Sequence, residues 1–244
     1  MLSTERLLRW GIVSGLAVAV AASVLAYPFF SEALLSALGV RGVAGAGLAL
    51  SAAPLLALAA RGGATWTALA PALGLPAAFA IALASAEPRA LRLVPACVNL
   101  GIALLFAQSL RGERSLVERA ARWMVPEAPE FIAPYCRRVT ALWALFFCAS
   151  AAGIAALALF GSAAAWQSAA GAGLYAAMLG LSALEFLIRK TWFRYYFHGG
   201  PFDRFWSRLF PAEATEMGRR SEETIRRYRE AHAAAARDAR DLRG

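Results

Sequence analysis

Glu185 is the residue at odds with its surroundings. It lies inside a long apolar run, 166–188, one helical turn before Arg189. A carboxylate in lipid is costly, so an ionisable residue in such a run faces protein or water and takes a partner. Two readings are open. One is a local pair with Arg189 at the membrane interface. The other is a polar pocket shared with Arg137 and Arg138, which open the preceding apolar run. Only the short stretch 161–165 separates the two runs, so they form antiparallel neighbours and their ends meet. The pocket is therefore the expectation. Asn99, near the middle of an earlier apolar run, is a second polar point. A side-chain amide there bonds a neighbouring helix, a contact worth roughly 0.6–2 kcal/mol.

Other candidates for chemistry are thinner. His198-Gly-Gly-Pro-Phe-Asp203 has the H-x4-D spacing of glycerolipid acyltransferases, in which a histidine oriented by an aspartate deprotonates a hydroxyl. Two fixed positions recur by chance, and only about 40 residues follow them, too few for an acyl groove. A Gly-Gly-Pro turn is preferred, with Asp203 in the first turn of a helix, where the dipole favours an acid. Cys97, Cys136 and Cys148 have no CxxC spacing, and the two histidines are His198 and His232. No disulfide framework, zinc site, other metal or cofactor is expected. P-loop, G-x-S-x-G and H-E-x-x-H motifs are absent from the sequence.

The elements that must position these residues follow from composition. The chain is 59% hydrophobic with a mean hydropathy of +0.52, against roughly 45–50% apolar residues in a soluble domain. Charged residues are nearly absent between 10 and 110. An ordinary soluble enzyme is thereby excluded, and an all-α polytopic membrane protein is expected. Six spans are predicted, at 11–30, 43–60, 65–85, 93–110, 139–160 and 166–188, with Pro71 and Pro76 inside the third. Residues 31–40 read as a connector, and Arg61-Gly62-Gly63 as a tight turn. The first run follows Arg6 and Arg9 and is long for a signal h-region, so it reads as an uncleaved span; Val24 and Ala26 keep a cleaved signal as the alternative.

The segment 111–138 carries six arginines and four glutamates. Ser115-Leu-Val-Glu118 predicts a capping box. Leu116, Val117, Ala120 and Met124 then share one face, with a Glu118–Arg122 pair on the other. This is the pattern of a short amphipathic surface helix. Phe202, Phe205, Trp206, Leu209 and Phe210 recur at helical spacing in an interfacial helix. Residues 212–243 predict a basic, solvated C-terminal helix. The expected division is a six-span bundle, 1–190, and a helical tail, 191–244.

With six spans, the N-terminus, the Arg61 turn, segment 111–138 and the tail share one side and hold 22 of the 25 basic residues. The positive-inside rule makes that side cytoplasmic, including both termini. The net charge of +9 then reports loops that face anionic lipid, not nucleic acid. Arg111, Arg114, Arg119, Arg122, Arg189 and Lys190 are the expected lipid-contacting set.

Ser109-Leu110, Ser115-Leu-Val-Glu118-Arg119-Ala-Ala-Arg122, Pro126-Glu-Ala-Pro129, Tyr135-Cys-Arg137-Arg138-Val-Thr140, Trp143 and Phe146-Phe147 resemble an uncharacterised bacterial inner-membrane family. Its members occur among aryl-polyene and related fatty-acid-like biosynthesis genes and are sometimes labelled "ketosynthase". The resemblance covers roughly residues 90–210 and continues through Trp166, Tyr175, Gly180, Glu185 and Arg189. The chain departs from the pattern after Trp166, where Gln167-Ser-Ala replaces an expected Tyr-Asn-Gly. The resemblance implies a membrane accessory role beside acyl-carrier-protein chemistry, in a bacterial inner membrane. It does not imply condensation, which needs a nucleophilic cysteine with paired catalytic groups in a large soluble fold.

The expectations are therefore these. Glu185, Arg137, Arg138, Tyr135 and Asn99 form a candidate polar pocket. The protein is a non-catalytic accessory of acyl-lipid or aryl-polyene assembly; a transporter or flippase is the alternative, and an acyltransferase using His198 and Asp203 the third reading. Its partners are the phospholipid bilayer and acyl-carrier-protein pathway enzymes.

Overall fold

Unbranched apolar residues and alanine favour helix, and in lipid a helix satisfies its own backbone. The computed structural model describes residues 4–60, 66–124, 128, 130–194 and 200–241, with side chains for 27–53, 55, 56, 73–124, 128, 130–194, 200–231, 233 and 234. Among these residues every regular element is helical. In chain order they are α1 (Thr4–Ala60), α2 (Trp66–Ser85), α3 (Pro88–Arg92), α4 (Val94–Ser109), α5 (Leu116–Met124), α6 (Ala133–Phe160), α7 (Ala163–Ser168), α8 (Leu174–Phe193), α9 (Pro201–Leu209) and α10 (Glu216–Asp241). Tight 3-10 turns lie at Glu130–Ile132 and Ala212–Ala214, and a π-turn at Ala169–Gly173.

Among the described residues, four helices are long and apolar enough to cross a membrane: Tyr27–Ala53, Pro88–Ser109, Glu130–Phe160 and Ala163–Phe193. Leu73–Ser85 is apolar but shorter. The expected spans 139–160 and 166–188 fall inside the last two, and 93–110 overlaps the second. The start of the chain differs from expectation. Helical backbone covers most of the expected connector 31–40, but α1 kinks within it at Gly39, with φ 66° and ψ 170°, so that two helices meet there. Residues 31–38 are good helix formers, and only glycine takes that left-handed backbone freely. The Arg61-Gly62-Gly63 turn lies outside the described residues.

The chain divides into two compact units, Met1–Arg111 with Ala141–Ala176, and Gly112–Thr140 with Ala177–Gly244. In the first, α2 packs against both α1 and α4. Gly47 allows close approach there: a Cβ at that position would clash with the buried Phe79 ring. Phe106 packs with Trp143 and Phe147. Ser162 caps α7 by accepting from Ala165 N at 3.2 Å. The Trp166 indole N–H donates to the Arg92 carbonyl at 2.9 Å, and Phe29 stacks on Tyr175.

In the second unit the predicted capping box is not formed. Ser115 Oγ is buried without a hydrogen-bond partner among the described residues, and Glu118 binds Arg122 at 3.0 Å. The cap comes from a distant residue: Val117 N donates to Thr140 Oγ1 at 3.4 Å, and Thr140 Oγ1 donates to the Cys136 carbonyl at 2.7 Å. The side chain of Arg194 and the backbone of Ala212 crowd Gly218, so α10 starts tightly packed.

Candidate functional site

Helix α6 begins at Ala133, earlier than the predicted 139. This places Tyr135, Arg137 and Arg138 on a helix, where a two-residue step turns a side chain by about 200°. Cys136 and Val139 are buried and Tyr135 is half-buried, whereas Arg137 and Arg138 are exposed. The hydroxyl of Tyr135 donates to Glu185 Oε1 at 3.1 Å, and Arg189 Nε lies 3.2 Å from the same oxygen. The Glu185 side chain is only 17% exposed. Its cation is thus Arg189 rather than Arg137 or Arg138, which the helical phase of α6 turns away. Arg137 Nη1 instead donates to the Gly112 carbonyl at 3.4 Å.

One residue further along α8, Lys190 Nζ lies 2.6 Å from Asp203 Oδ1, with both residues buried. Phe186 lies beneath both cations, 5.7 Å from Arg189 and 5.8 Å from Lys190, and packs on Phe202 of α9. Lys190 therefore faces protein, not the lipid that the sequence assigned to it, because Asp203 in the first turn of α9 supplies its counter-charge. His198 lies outside the described residues.

A third ion-paired group anchors α5. Arg122 binds Glu118 at 3.0 Å, Glu130 at 2.9 Å and the Ala128 carbonyl at 2.9 Å. Desolvation lowers its pKa, but the two carboxylates outweigh that and hold the guanidinium above its ordinary value. Arg122 is thus turned inward as well. On α5 Glu118 is buried and Leu116 and Val117 are half-buried, while Trp123 is 85% exposed beside exposed Arg119, Ala120 and Met124. Helix α9 repeats the arrangement. Asp203 points in, and Phe202, Phe205 and Leu209 are exposed with Arg204 and Arg208.

Of the predicted set, the structure joins Tyr135, Glu185 and Arg189. Arg111, Arg114, Arg119, Arg137 and Arg138 are exposed. Asn99 belongs to the other unit and donates to the Pro95 carbonyl of its own helix at 2.8 Å, not to a neighbouring helix. Lys190–Asp203 was missed, although one signal marks it: Lys190 is the single lysine among 25 basic residues. The Thr140 cap carries no local signal, since Thr140 and Val117 are 23 residues apart.

Chemically, these groups hold charge in matched pairs. Among the described residues no group of three or more His, Cys, Asp or Glu could hold a metal. Comparison with family models, curated proteins and solved structures finds no match.

Proposed function

We propose that the chain is a six-span protein of the bacterial inner membrane with both termini in the cytoplasm. It acts as a non-catalytic accessory in acyl-lipid or aryl-polyene assembly. The unit formed by 112–140 and 177–244 carries its working face, which meets the inner leaflet and receives the carrier-bound pathway. One observation carries this reading. In that unit the acids Glu118, Asp203 and Glu185 are turned inward against Arg122, Lys190 and Arg189. Arginines and large apolar side chains remain outside on both short helices, Arg119 with Trp123 and Arg204 with Phe205. Aromatic and cationic side chains together suit the headgroup layer of an anionic membrane. The same positive face suits an acidic carrier protein.

The 22-to-3 basic asymmetry supports the orientation. Reporter fusions after Leu110 and Ile188 are expected to read cytoplasmic, and a fusion at Gly161 periplasmic. A cytoplasmic Gly161 would overturn the topology. Deletion of the gene followed by lipid analysis tests the role. Loss of product supports assembly. Product made but trapped in the inner leaflet would replace this reading with a transporter or flippase.

A further inference from the structure

Asn99 lies in α4 and is buried. Its Nδ2 donates to the Pro95 carbonyl at 2.8 Å. That bond fixes the amide orientation, because the flipped amide would set two oxygens against each other. Oδ1 is then a buried acceptor to which no group among the described residues donates. Buried polar atoms are almost always paired, so this one needs a donor.

Asn99 lines a cavity of about 20 Å³ together with Pro28, Ala170, Leu174 and Tyr175. Ala170 is part of the π-turn. Leu174 N–H donates to the carbonyls of Ala169 and Gly171, whereas a regular helix would send it to Ala170, four residues back. The π-turn thus deprives the Ala170 carbonyl of its usual donor. Two acceptors border one cavity, and the space matches one water, which needs roughly 10–15 Å³. A metal cation would need more oxygen ligands than these two.

We propose that this cavity binds a single water molecule, which donates one hydrogen to Asn99 Oδ1 and the other to the Ala170 carbonyl. The water ties α4 to the π-turn that precedes α8. It accounts for both irregularities together, the acceptor without a protein donor and the carbonyl that the π-turn passes over.

Hydroxyl-radical footprinting by X-ray radiolysis tests the site, because radicals form from bound water and label the side chains around it. The native chain in nanodiscs is the sample. Leu174 and Val98, which line the cavity, are expected to label several-fold faster than Ile154, which is buried elsewhere in the same unit. Asn99→Leu is expected to bring Leu174 and Val98 down to the Ile154 rate while leaving Ile154 unchanged. Native labelling no faster than Ile154 overturns the water. Labelling that persists undiminished in Asn99→Leu overturns the assignment to Asn99. If that variant does not accumulate, Asn99→Val makes the same comparison, and the native measurement alone still decides whether water is present.

Discussion

Tyr135 and Arg189 meet on one oxygen of Glu185, at 3.1 Å and 3.2 Å, from two helices whose contact spans 50 residues of sequence. A neutral donor and a cation therefore share a single acceptor. Tyr135→Phe removes only the neutral donor. A hydrogen bond to a charged group contributes roughly 1.5–3 kcal/mol, and the loss should fall near the lower end because Arg189 stays in place. Glu185→Gln keeps an acceptor for Tyr135 but drops the charge facing Arg189. Since that guanidinium is about one-third exposed, water screens it and the loss should be about 1 kcal/mol. Thermal unfolding of the purified protein in detergent reads both. Losses that simply add in the double variant would show that the two contacts are independent.

Lys190 and Asp203 are different, because little water reaches either. Lys190→Met strands a buried carboxylate, and a loss on the order of 3–5 kcal/mol is expected. The double variant Lys190→Met/Asp203→Leu should recover most of it, since apolar residues of similar volume often replace a buried pair at little cost. A single variant that unfolds at the native temperature would mean that the pair is solvated in the protein.

Hydropathy is a one-dimensional signal, which is why the apolar stretches 139–160 and 166–188 could be read directly. What interrupts a helix is a backbone property. Residues 31–40 look like a connector by hydropathy, yet only Gly39 adopts a non-helical conformation there. The polar cluster is legible by half. Glu185 declares itself through the cost of its burial. Its partner depends on where α6 starts: a start at Ala133 carries the helix through Tyr135, half-buried, and Arg137, exposed, and the residue that marks this start is Pro134 in the first turn, outside the apolar run that hydropathy picks out. The faces of α5 and α9 are legible only as faces. Periodicity separates apolar from charged residues, but it does not say which face meets protein, and here the ion pairs do.

Two glycines with opposite surroundings give a paired test of helix packing. A Cβ at Gly47 would run into the Phe79 ring, and that ring is buried. Gly47→Ala should therefore cost about 1–3 kcal/mol through overpacking. Gly153 lies within α6 with no atom of the described residues inside 4 Å of its would-be Cβ. Gly153→Ala should stabilise by roughly 0.5–1 kcal/mol, because alanine loses less backbone freedom in a helix. Unfolding temperatures that move in the same direction for both would contradict the α1–α2 approach at Gly47.

Glu216 opens α10, and its acidity carries a pH signature. Its carboxylate accepts from Arg219 Nη2 at 2.6 Å and from Arg220 Nε at 2.8 Å. Hydrogen bonds from these two arginines, with their charges, hold its pKa below the ordinary carboxylate value. The first turn of a helix favours the same ionised form. A group whose pKa is depressed by folding stabilises the fold fully above its unfolded value and loses that contribution as pH falls through the folded one. Glu216 should therefore support the start of α10 throughout the neutral range and fail only in acid. The group is exposed, so the effect should also weaken with added salt. Hydrogen exchange of the amides at 217–220, corrected for intrinsic rates, reads this directly. The native chain should lose protection in an acid step that Glu216→Gln lacks, with the variant less protected than the native chain at neutral pH. Identical profiles for the two proteins, or a native step that moves to higher pH than an ordinary glutamate, would show that Arg219 and Arg220 do not hold this carboxylate.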